Sequence, residues 1–365
     1  MGGTALGSAH GLISLEYTGA AAVNSAVNDL NRLGQAGNQV TPQMQAAGAA
    51  MGALGAAGVG ALGLATKGAA DFEQQLSGIA SVGGADALAA MDEIRAEALR
   101  LGAETSFGAS EAAAGMEELI KAGVPVADVL GGAAQSALDL AAATGVSVPQ
   151  AATLMATGLN VFGDGMGRFA TEGEKATYIA DLLAQTANAS AADMGDLGMG
   201  LQQVANVADS FGVGLDDTTA ALGLLSNAGL RGSDAGTSLK TALLSLLDPT
   251  AKQASAMADL GLSFDSFYDD NGGFIGLPEA FDLLGASMEG LTDQQKQNAL
   301  AVLFGSDAYR AAKILTEEGV EGFEDFAAAQ ERAGSVQEQA AIRLDNFNGS
   351  LEQLRGALET AGIAI

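Results

Sequence analysis

The sequence is short of the residues on which most enzyme chemistry depends. It contains no cysteine and no tryptophan, and its one histidine is His10. The lack of cysteine excludes disulfides, thiolate catalysis and every zinc or iron–sulfur site held by cysteine. A Ser–His–Asp triad would need His10, which lies in a glycine-rich terminus where nothing could hold the imidazole in place. Most zinc peptidase signatures need two histidines and are excluded on the same ground.

Sequence motifs for nucleotides and nucleophiles are missing as well. There is no Gly-Lys dipeptide, which excludes a P-loop, and there is no G-x-S-x-G nucleophile elbow. Gly-x-Gly runs occur at 163–167 and 198–200, but neither follows a plausible strand with the right third glycine. We therefore expect no nucleotide binding.

The many acidic residues form no recognisable site. The cluster at 265–271 does not match the ligand spacing of an EF-hand, so we expect it to cap a turn. The pairs Glu117-Glu118 and Glu317-Glu318 lie on helical runs as solvated faces do. Aromatic residues make up only 5%, too few for a carbohydrate cleft lined with rings. We predict no catalytic residue, no cofactor-binding residue, no metal ligand and no enzymatic activity.

The charge is strongly one-sided. Aspartate and glutamate number 44 against 16 lysines and arginines, which gives a formal net charge of −28. Such a surface repels nucleic acid and anionic lipid head groups. The basic residues are scattered singly among acids, as at Arg95, Arg100, Arg231 and Arg310, and form no basic patch. Specific nucleic-acid binding is not predicted.

Helical periodicity is the dominant pattern from Ala69 onward. Apolar residues make up 48% of the chain, enough for a sizeable core, and the 51 glycines separate many short elements. One boundary recurs: a helix ends at glycine, an apolar residue follows, and a capping residue or proline opens the next helix. This is the Schellman arrangement. It occurs in AGVPVAD (122–128), TGVSVPQ (144–150), FGVGLDD (211–217), AGLRGSD (228–234) and LGLSFDS (260–266).

These patterns predict an all-α protein, an irregular array of short helices with tight Gly/Pro turns. Capping-box spacings mark helix starts at Ser190/Asp193, Thr292/Gln295 and Ser335/Glu338. A glycine-rich loop is expected at 163–174. A small β-hairpin is expected near 262–277, with its turn at Asp270-Asn271-Gly272. After Ser335 a long helix is expected to reach Ile365 without a stop signal, so we expect a longer polypeptide.

The N-terminal part has a different character. Residues 11–17 alternate as a short strand does, and 18–33 have helical spacing. No charge occurs between Arg32 and Lys67, and Met44–Thr66 is long enough to cross ~30 Å of hydrocarbon as a helix. Two interpretations stay open: a helix buried inside an oligomer, or a helix that crosses a membrane.

Composition and periodicity together suggest five regions. They are an N-terminal strand and helix arm at 1–43, the uncharged Gly/Ala-rich hydrophobic helix at 44–68, and a helical core at 69–261. A hairpin with a helical extension follows at 262–334, and the long helix begins within 335–365.

Several segments resemble the core of phage tail tape measure proteins. They are AADFEQQLSGIASVGG (69–84), the run at 101–152, the run at 176–249 with its most family-specific piece SNAGLRGSDAGTSLK (226–240), and LTDQQKQNALAVLFGSDA (291–308). The resemblance extends over roughly residues 40–360.

The resemblance implies a structural role in the tail of a phage or prophage. Family members lie in the lumen of the tail tube, set its length and leave during genome delivery. Implied partners are the tail tube protein, tail tip or baseplate proteins, tail assembly chaperones and further copies of the chain, expected as a trimer. The expected location is the virion tail, after assembly in the host cytoplasm.

The resemblance leaves a second function open. Hydrophobic segments in the family are thought to help DNA through the host envelope, which makes a membrane-active, channel-forming module the alternative. Here 44–66 would contact the host membrane. Length rulers are usually longer and dominated by continuous helices, so this portion is expected to be a folded terminal domain.

Overall fold

Most of the described residues are helical. A computed structural model describes residues 68–345, which belong to the unit Thr66–Ile365, together with four residues further on: Gly356, Glu359, Thr360 and Ile363. No strand occurs among these residues, so the all-α prediction is confirmed. The expected strand at 11–17, the helix at 18–33 and the uncharged stretch at 44–66 lie outside the described residues.

The helices follow one another with short connections. In chain order they are α1 (68–89), α2 (Met91–Glu104), α3 (Ala109–Lys121), α4 (Ala134–Thr144), α5 (Val148–Phe162), α6 (Glu172–Ala189), α7 (Met194–Ser210), α8 (Leu215–Asn227), α9 (Gly232–Leu247), α10 (Ala251–Asp259), α11 (Leu277–Ser287), α12 (Asp293–Ala333) and α13 (Val336–Leu344). A helical turn at Val126–Asp128 and a π-helical segment at Val129–Ala133 precede α4. The long helix α12 bends at Gly305 and Gly319, where φ is positive.

The glycine turns confirm the boundary pattern read from the sequence. In four of the five turns, the residue after the glycine donates its N–H to the carbonyl five residues earlier, at 2.9–3.0 Å. The glycines have positive φ, which side chains with a Cβ rarely adopt, and the apolar residues that follow are buried. The four donor–acceptor pairs are Val124 to Leu119, Val213 to Ala208, Leu230 to Leu225 and Leu262 to Met257. The fifth turn, at Gly145, is a left-handed cap whose N–H bonds to Ala141.

Two of the three capping boxes are confirmed and one is displaced. Thr292 caps α12 and Ser335 caps α13, each accepting from the backbone three residues later. The expected box at Ser190 is wrong, because α7 begins three residues further on. Its N-cap is Asp193, which accepts the N–H of Asp196 at 2.8 Å. The Ser190 hydroxyl instead donates to Thr186 O at the end of α6.

The predicted β-hairpin near 262–277 is wrong. The segment forms a short 3₁₀ helix at Phe264–Phe267, and then a single antiparallel bridge pairs Tyr268 with Phe274. The turn itself is in the predicted place, with Gly272 at positive φ. Phe267, just before the bridge, is fully buried in the helical core. Too few residues are left beside the turn to form two strands with alternating side chains.

The glycine-rich loop and the last helix also differ in extent from expectation. The loop begins with a 3₁₀ turn at Gly163–Gly165 and ends at Thr171, which caps α6. Helix α13 ends at Leu344 because Asp345 leaves the helical conformation. The run expected as one helix from Ser335 to Ile365 is therefore interrupted.

One apolar cluster runs through the described helices. It consists mainly of alanine and leucine side chains, with a few large residues such as Phe72, Phe267 and Phe281 fully buried. Helix α9 packs on α7 and α12, α11 packs on α12, and α13 packs on α4.

Candidate functional site

Helices α7 and α9 cross so closely that their backbones touch. A Cβ added at Gly236 would overlap the carbonyl oxygen of Gly200 and lie 2.8 Å from its Cα. A Cβ at Gly200 would lie 3.5 Å from Gly232 O. Gly232 and Gly236 are four residues apart and share one face of α9. Both belong to the segment 226–240, so the part of the sequence with the most specific resemblance builds this crossing.

A second feature is a group of long-range hydrogen bonds, which we call the polar seam. It joins α13 and the segment before it to α4 and α6. Asp181 Oδ1 accepts the N–H of Val336 at 2.7 Å, Gln337 Nε2 donates to Asp139 Oδ2 at 3.1 Å, and Gln185 Nε2 donates to Gly334 O at 3.1 Å. Val336 is the first residue of α13, so Asp181 satisfies one of the donors that every helix start leaves unpaired.

The polar seam continues toward the end of α12. Gln330 and Thr186 are both buried, and Gln330 Nε2 donates to Thr186 Oγ1 at 2.7 Å. Asn188 donates to the side chain of Gln339. Buried polar groups that are fully paired specify one arrangement of helices, because any other arrangement leaves them without partners.

Burial raises the pKa of both seam carboxyls. For Asp139, desolvation is the main cause, and the hydrogen bonds from Gln135 and Gln337 oppose it. For Asp181, desolvation is again the main cause, and the N–H of Val336 opposes it. The two helices therefore hold acids whose charged form is disfavoured in the folded state.

A third carboxyl lies where α8 meets the start of α11. Desolvation and the neighbouring charge of Asp216 raise the pKa of Asp217 to about 6, although the N–H of Leu277 bonds to it. Glu279 adds further repulsion. Leu277 is the first residue of α11, so the backbone at this helix start favours the charged form of Asp217 and opposes the rise of its pKa.

The acidic and basic residues named in the sequence analysis lie at the surface or at helix ends, and several of them pair with a neighbouring residue. Glu118 pairs with Lys121 at 3.1 Å and Glu317 pairs with Lys313 at 2.6 Å. In the cluster at 265–271, Asp269 Oδ1 accepts the N–H groups of two residues in the same turn, so the turn-capping role is confirmed. Arg95 and Arg100 form ion pairs with glutamates, and Arg231 is the N-cap residue of α9.

Two kinds of feature are absent from the described residues. No group of three or more histidine, cysteine, aspartate or glutamate side chains in 68–345 is arranged to hold a metal ion. No described helix is both long enough and apolar enough to span a membrane. The stretch 44–66 is not among the residues that the structure describes.

Comparison with known proteins decides the family. The sequence profile of the phage-related minor tail protein family matches residues 95–305, which include the α7–α9 crossing. The chain belongs to this family. It is a component of a phage tail.

Two tape measure proteins are among the relatives of this tail protein. It is 34% identical over 296 residues to the tape measure protein of Pneumococcus phage Dp-1, covering 81% of this chain and 25% of that protein. It is 29% identical over 346 residues to the probable tape measure protein of Escherichia phage P2, covering 93% of this chain and 41% of that protein. The tail protein thus spans less than half the length of these relatives. No solved structure matches it significantly.

Sequence reasoning missed both structural features of the tail protein, although each left a signal. The crossing is marked by two glycines four residues apart in α9, Gly232 and Gly236, a spacing typical of close helix contacts. The polar seam is marked by Asp139 and Asp181, each of which interrupts an apolar helical run. What these acids bond to could not be read from the sequence, because their partners in α13 lie 155–198 residues away.

Replacing Asp181 with alanine tests the polar seam. The N–H of Val336 would lose its acceptor, so we expect hydrogen exchange in 336–344 to become about tenfold faster, the equivalent of about 1.4 kcal/mol. Asp181→Asn keeps an acceptor oxygen and should stay close to the parent protein. The measurement is amide exchange followed by mass spectrometry. Unchanged exchange in 336–344, or an equal increase along the whole chain, would contradict the seam's role.

Proposed function

We propose that this tail protein acts as part of a tape measure protein. In this role it lies in the lumen of the tail tube, sets tail length and is released during genome delivery. The observation that carries the proposal is the match of residues 95–305 to the minor tail protein family together with two relatives that are named tape measure proteins. Its contribution is structural, and we propose no enzymatic activity.

The composition of the core supports release through a narrow tube. Most of the buried apolar residues are alanine or leucine, and an alanine side chain removes little area from water. Each helix therefore contributes a modest amount to stability, so the helices can separate at moderate cost. The net charge of −28 also supports passage beside DNA, because like charges do not adhere.

The proposed partners are the tail tube protein, tail tip or baseplate proteins, tail assembly chaperones and further copies of the chain, in a trimer. We also keep the division of the sequence at 1–43, 44–68, 69–261, 262–334 and 335–365 as a proposal, without the hairpin and without one continuous last helix. A photo-crosslinking residue at Ile342, which is 76% exposed, tests the location inside assembled tails. We expect adducts with the tail tube or tip proteins. Adducts formed only with capsid proteins would contradict the proposal.

Tail length provides the functional test. Phages in which the whole reading frame is deleted should form no tails of uniform length, as judged by electron microscopy. Complementation with the parent gene should restore one length. Uniform tails of normal length in the deletion strain would contradict a length-setting role.

A channel-forming role in the host membrane is the second candidate. The observation in its favour is the absence of charge between Arg32 and Lys67. Liposome leakage, measured with the parent protein and with a variant lacking residues 40–68, tests it. Leakage that disappears with the deletion would support this role, and equal leakage or no leakage from either protein would contradict it.

A further inference from the structure

The two ends of the described helical unit lie side by side. At one end, Gly68 is the first described residue of α1. At the other end, Gly356, Glu359, Thr360 and Ile363 are helical, and their spacing of three and four residues places them on one helix face. A Cβ added at Gly68 would lie 3.5 Å from Cγ of Glu359 and 3.9 Å from Cγ1 of Ile363. This face therefore contacts the start of α1.

The same face also lies on the end of α2 and on the turn that follows it. A Cβ at Gly102 would lie 2.6 Å from Thr360 Oγ1, and a Cβ at Gly356 would lie 2.8 Å from Phe107 O. Both distances are too short for a real Cβ, so glycine on each side permits the close approach. We call the contacts of the four residues with the start of α1 and with residues 102–108 the clasp.

Few side chains hold the clasp. Of the four residues, Ile363 has the apolar side chain, and it is half-buried against the core cluster. The Glu359 carboxylate lies at Gly108, the N-cap residue of α3, where a negative charge interacts favourably with the helix N-terminus. Thr360 is buried, but its Oγ1 has no hydrogen-bond partner among the described residues, which opposes closure. The clasp should therefore open more easily than the fully buried core beside it.

We propose that the clasp closes this helical unit and is the first contact to open when the tail protein is released. The part that concerns release rests on the proposed function. A pull on either end of the unit acts on the clasp before it reaches the interior helices, because both ends meet there. While the clasp is closed, the folded unit adds almost no length between its two ends. Once it is open, the helices can be drawn out one after another.

Thiol labelling of the full-length protein tests which part opens first. The chain has no cysteine, so a single introduced thiol reports on one position. Thr360→Cys places the thiol in the clasp, where the parent residue is 6% exposed, and Ser226→Cys places it in α8, where the parent residue is 2% exposed. Both replacements change the size of the side chain little. We expect Thr360→Cys to react at least about tenfold faster than Ser226→Cys, because its thiol needs only local opening to meet the reagent.

A second substitution links the faster reaction to the clasp. Ile363→Asp, added to Thr360→Cys, should speed labelling by a further factor of about ten, because a charged carboxylate is costly to keep against the core. The matched control is Ile342→Asp at a position that is 76% exposed, which should change the rate by less than about twofold. Neither substitution should alter the labelling of Ser226→Cys.

Three labelling results would overturn the proposal. The first is labelling of Thr360→Cys that is no faster than that of Ser226→Cys, which would show that the clasp opens only with the whole unit. The second is a rate for Thr360→Cys that Ile363→Asp leaves unchanged. The third is an equal effect of Ile363→Asp on both thiols.

A disulfide across the clasp tests its role in release. In the double variant Gly68→Cys and Glu359→Cys, the two thiols are close enough to be joined by diamide, which takes up their two hydrogens. Oxidised phage particles should have tails of normal length but infect at least about a hundredfold less well, and dithiothreitol should restore infection. The parent phage and the two single variants, treated in the same way, are the controls.

Full infectivity of particles in which the disulfide is complete would overturn the role of the clasp in release. Failure of the proposed function would be seen elsewhere, as uniform tails of normal length in the deletion strain. The labelling experiment uses purified protein without phage, so it tests the clasp in either case.

Discussion

Replacing Gly236 with alanine is expected to lower the free energy of unfolding by about 1–3 kcal/mol. The new methyl group would overlap the backbone of Gly200, and a backbone cannot move aside as a flexible side chain can. Helix α9 would have to shift away from α7, which loosens the packing of Leu239 and Leu201. Within a helix, alanine is more stable than glycine by up to about 1 kcal/mol. The steric clash must therefore cost more than this gain for Gly236→Ala to lower the free energy of unfolding.

A graded series makes this prediction sharper. A Cβ at Gly200 would meet Leu222 methyl groups at 3.0–3.1 Å, which can adjust, so Gly200→Ala should cost less than Gly236→Ala. A Cβ at Gly131 would meet nothing within 4 Å, so Gly131→Ala should be neutral or slightly stabilising. Urea unfolding followed by circular dichroism gives all three values. If Gly236→Ala were as stable as Gly131→Ala, the two backbones would not be in contact.

Replacing Asp217 with asparagine is expected to stabilise the protein at neutral pH. Folding raises the pKa of Asp217 from 3.8 to about 6, so the charged form is less compatible with the folded state than with the unfolded state. The stabilising effect of the protonated form is fully present below about pH 4 and is lost as pH rises through about 6. The raised pKa means that the charge of Asp217 lowers the free energy of unfolding by at most about 3 kcal/mol at neutral pH. We expect an effect of about 1–2 kcal/mol, because water and salt screen part of the repulsion.

The difference between the parent protein and Asp217→Asn should therefore depend on pH. We expect the free energy of unfolding of the variant to exceed that of the parent protein by about 1–2 kcal/mol at pH 7.5 and by almost nothing at pH 4. Asparagine keeps an acceptor oxygen near the N–H of Leu277, so only the charge is removed. Asp259→Asn, at an exposed position, should change stability by less than about 0.5 kcal/mol. Urea unfolding at several pH values provides the measurement. A gain that is equal at pH 4 and pH 7.5 would show that charge is not the cause.

Local patterns in the sequence predicted the helical segments well. The glycine turns formed as expected because a left-handed glycine followed by a buried apolar residue satisfies the end of a helix with bonds inside one short segment. The caps at Thr292 and Ser335 were predicted correctly for the same reason, because each depends on hydrogen bonds within three residues. The cap at Ser190 was misplaced because Asp193, three residues later, competes for the same role within the same local pattern.

The features that depend on distant partners were not predicted. The hairpin near 262–277 was expected from its turn, but burial of Phe267 in the helical core decided the conformation of the segment. Helix α12 bends at Gly305, and the sequence analysis predicted no bend there. No local sequence pattern predicts which helices such a bend brings into contact.

The amino-acid sequence alone determined that this protein is helical, acidic and poor in reactive side chains, and that it resembles the tape measure family. Each of these properties follows from residue type or from contacts within a few positions. Only the tertiary structure decided that Gly236 touches Gly200, that Asp181 accepts the N–H at the start of α13, and that Gln330 bonds to Thr186. These arrangements arise from how helices pack, and packing depends on shape and burial across the whole chain.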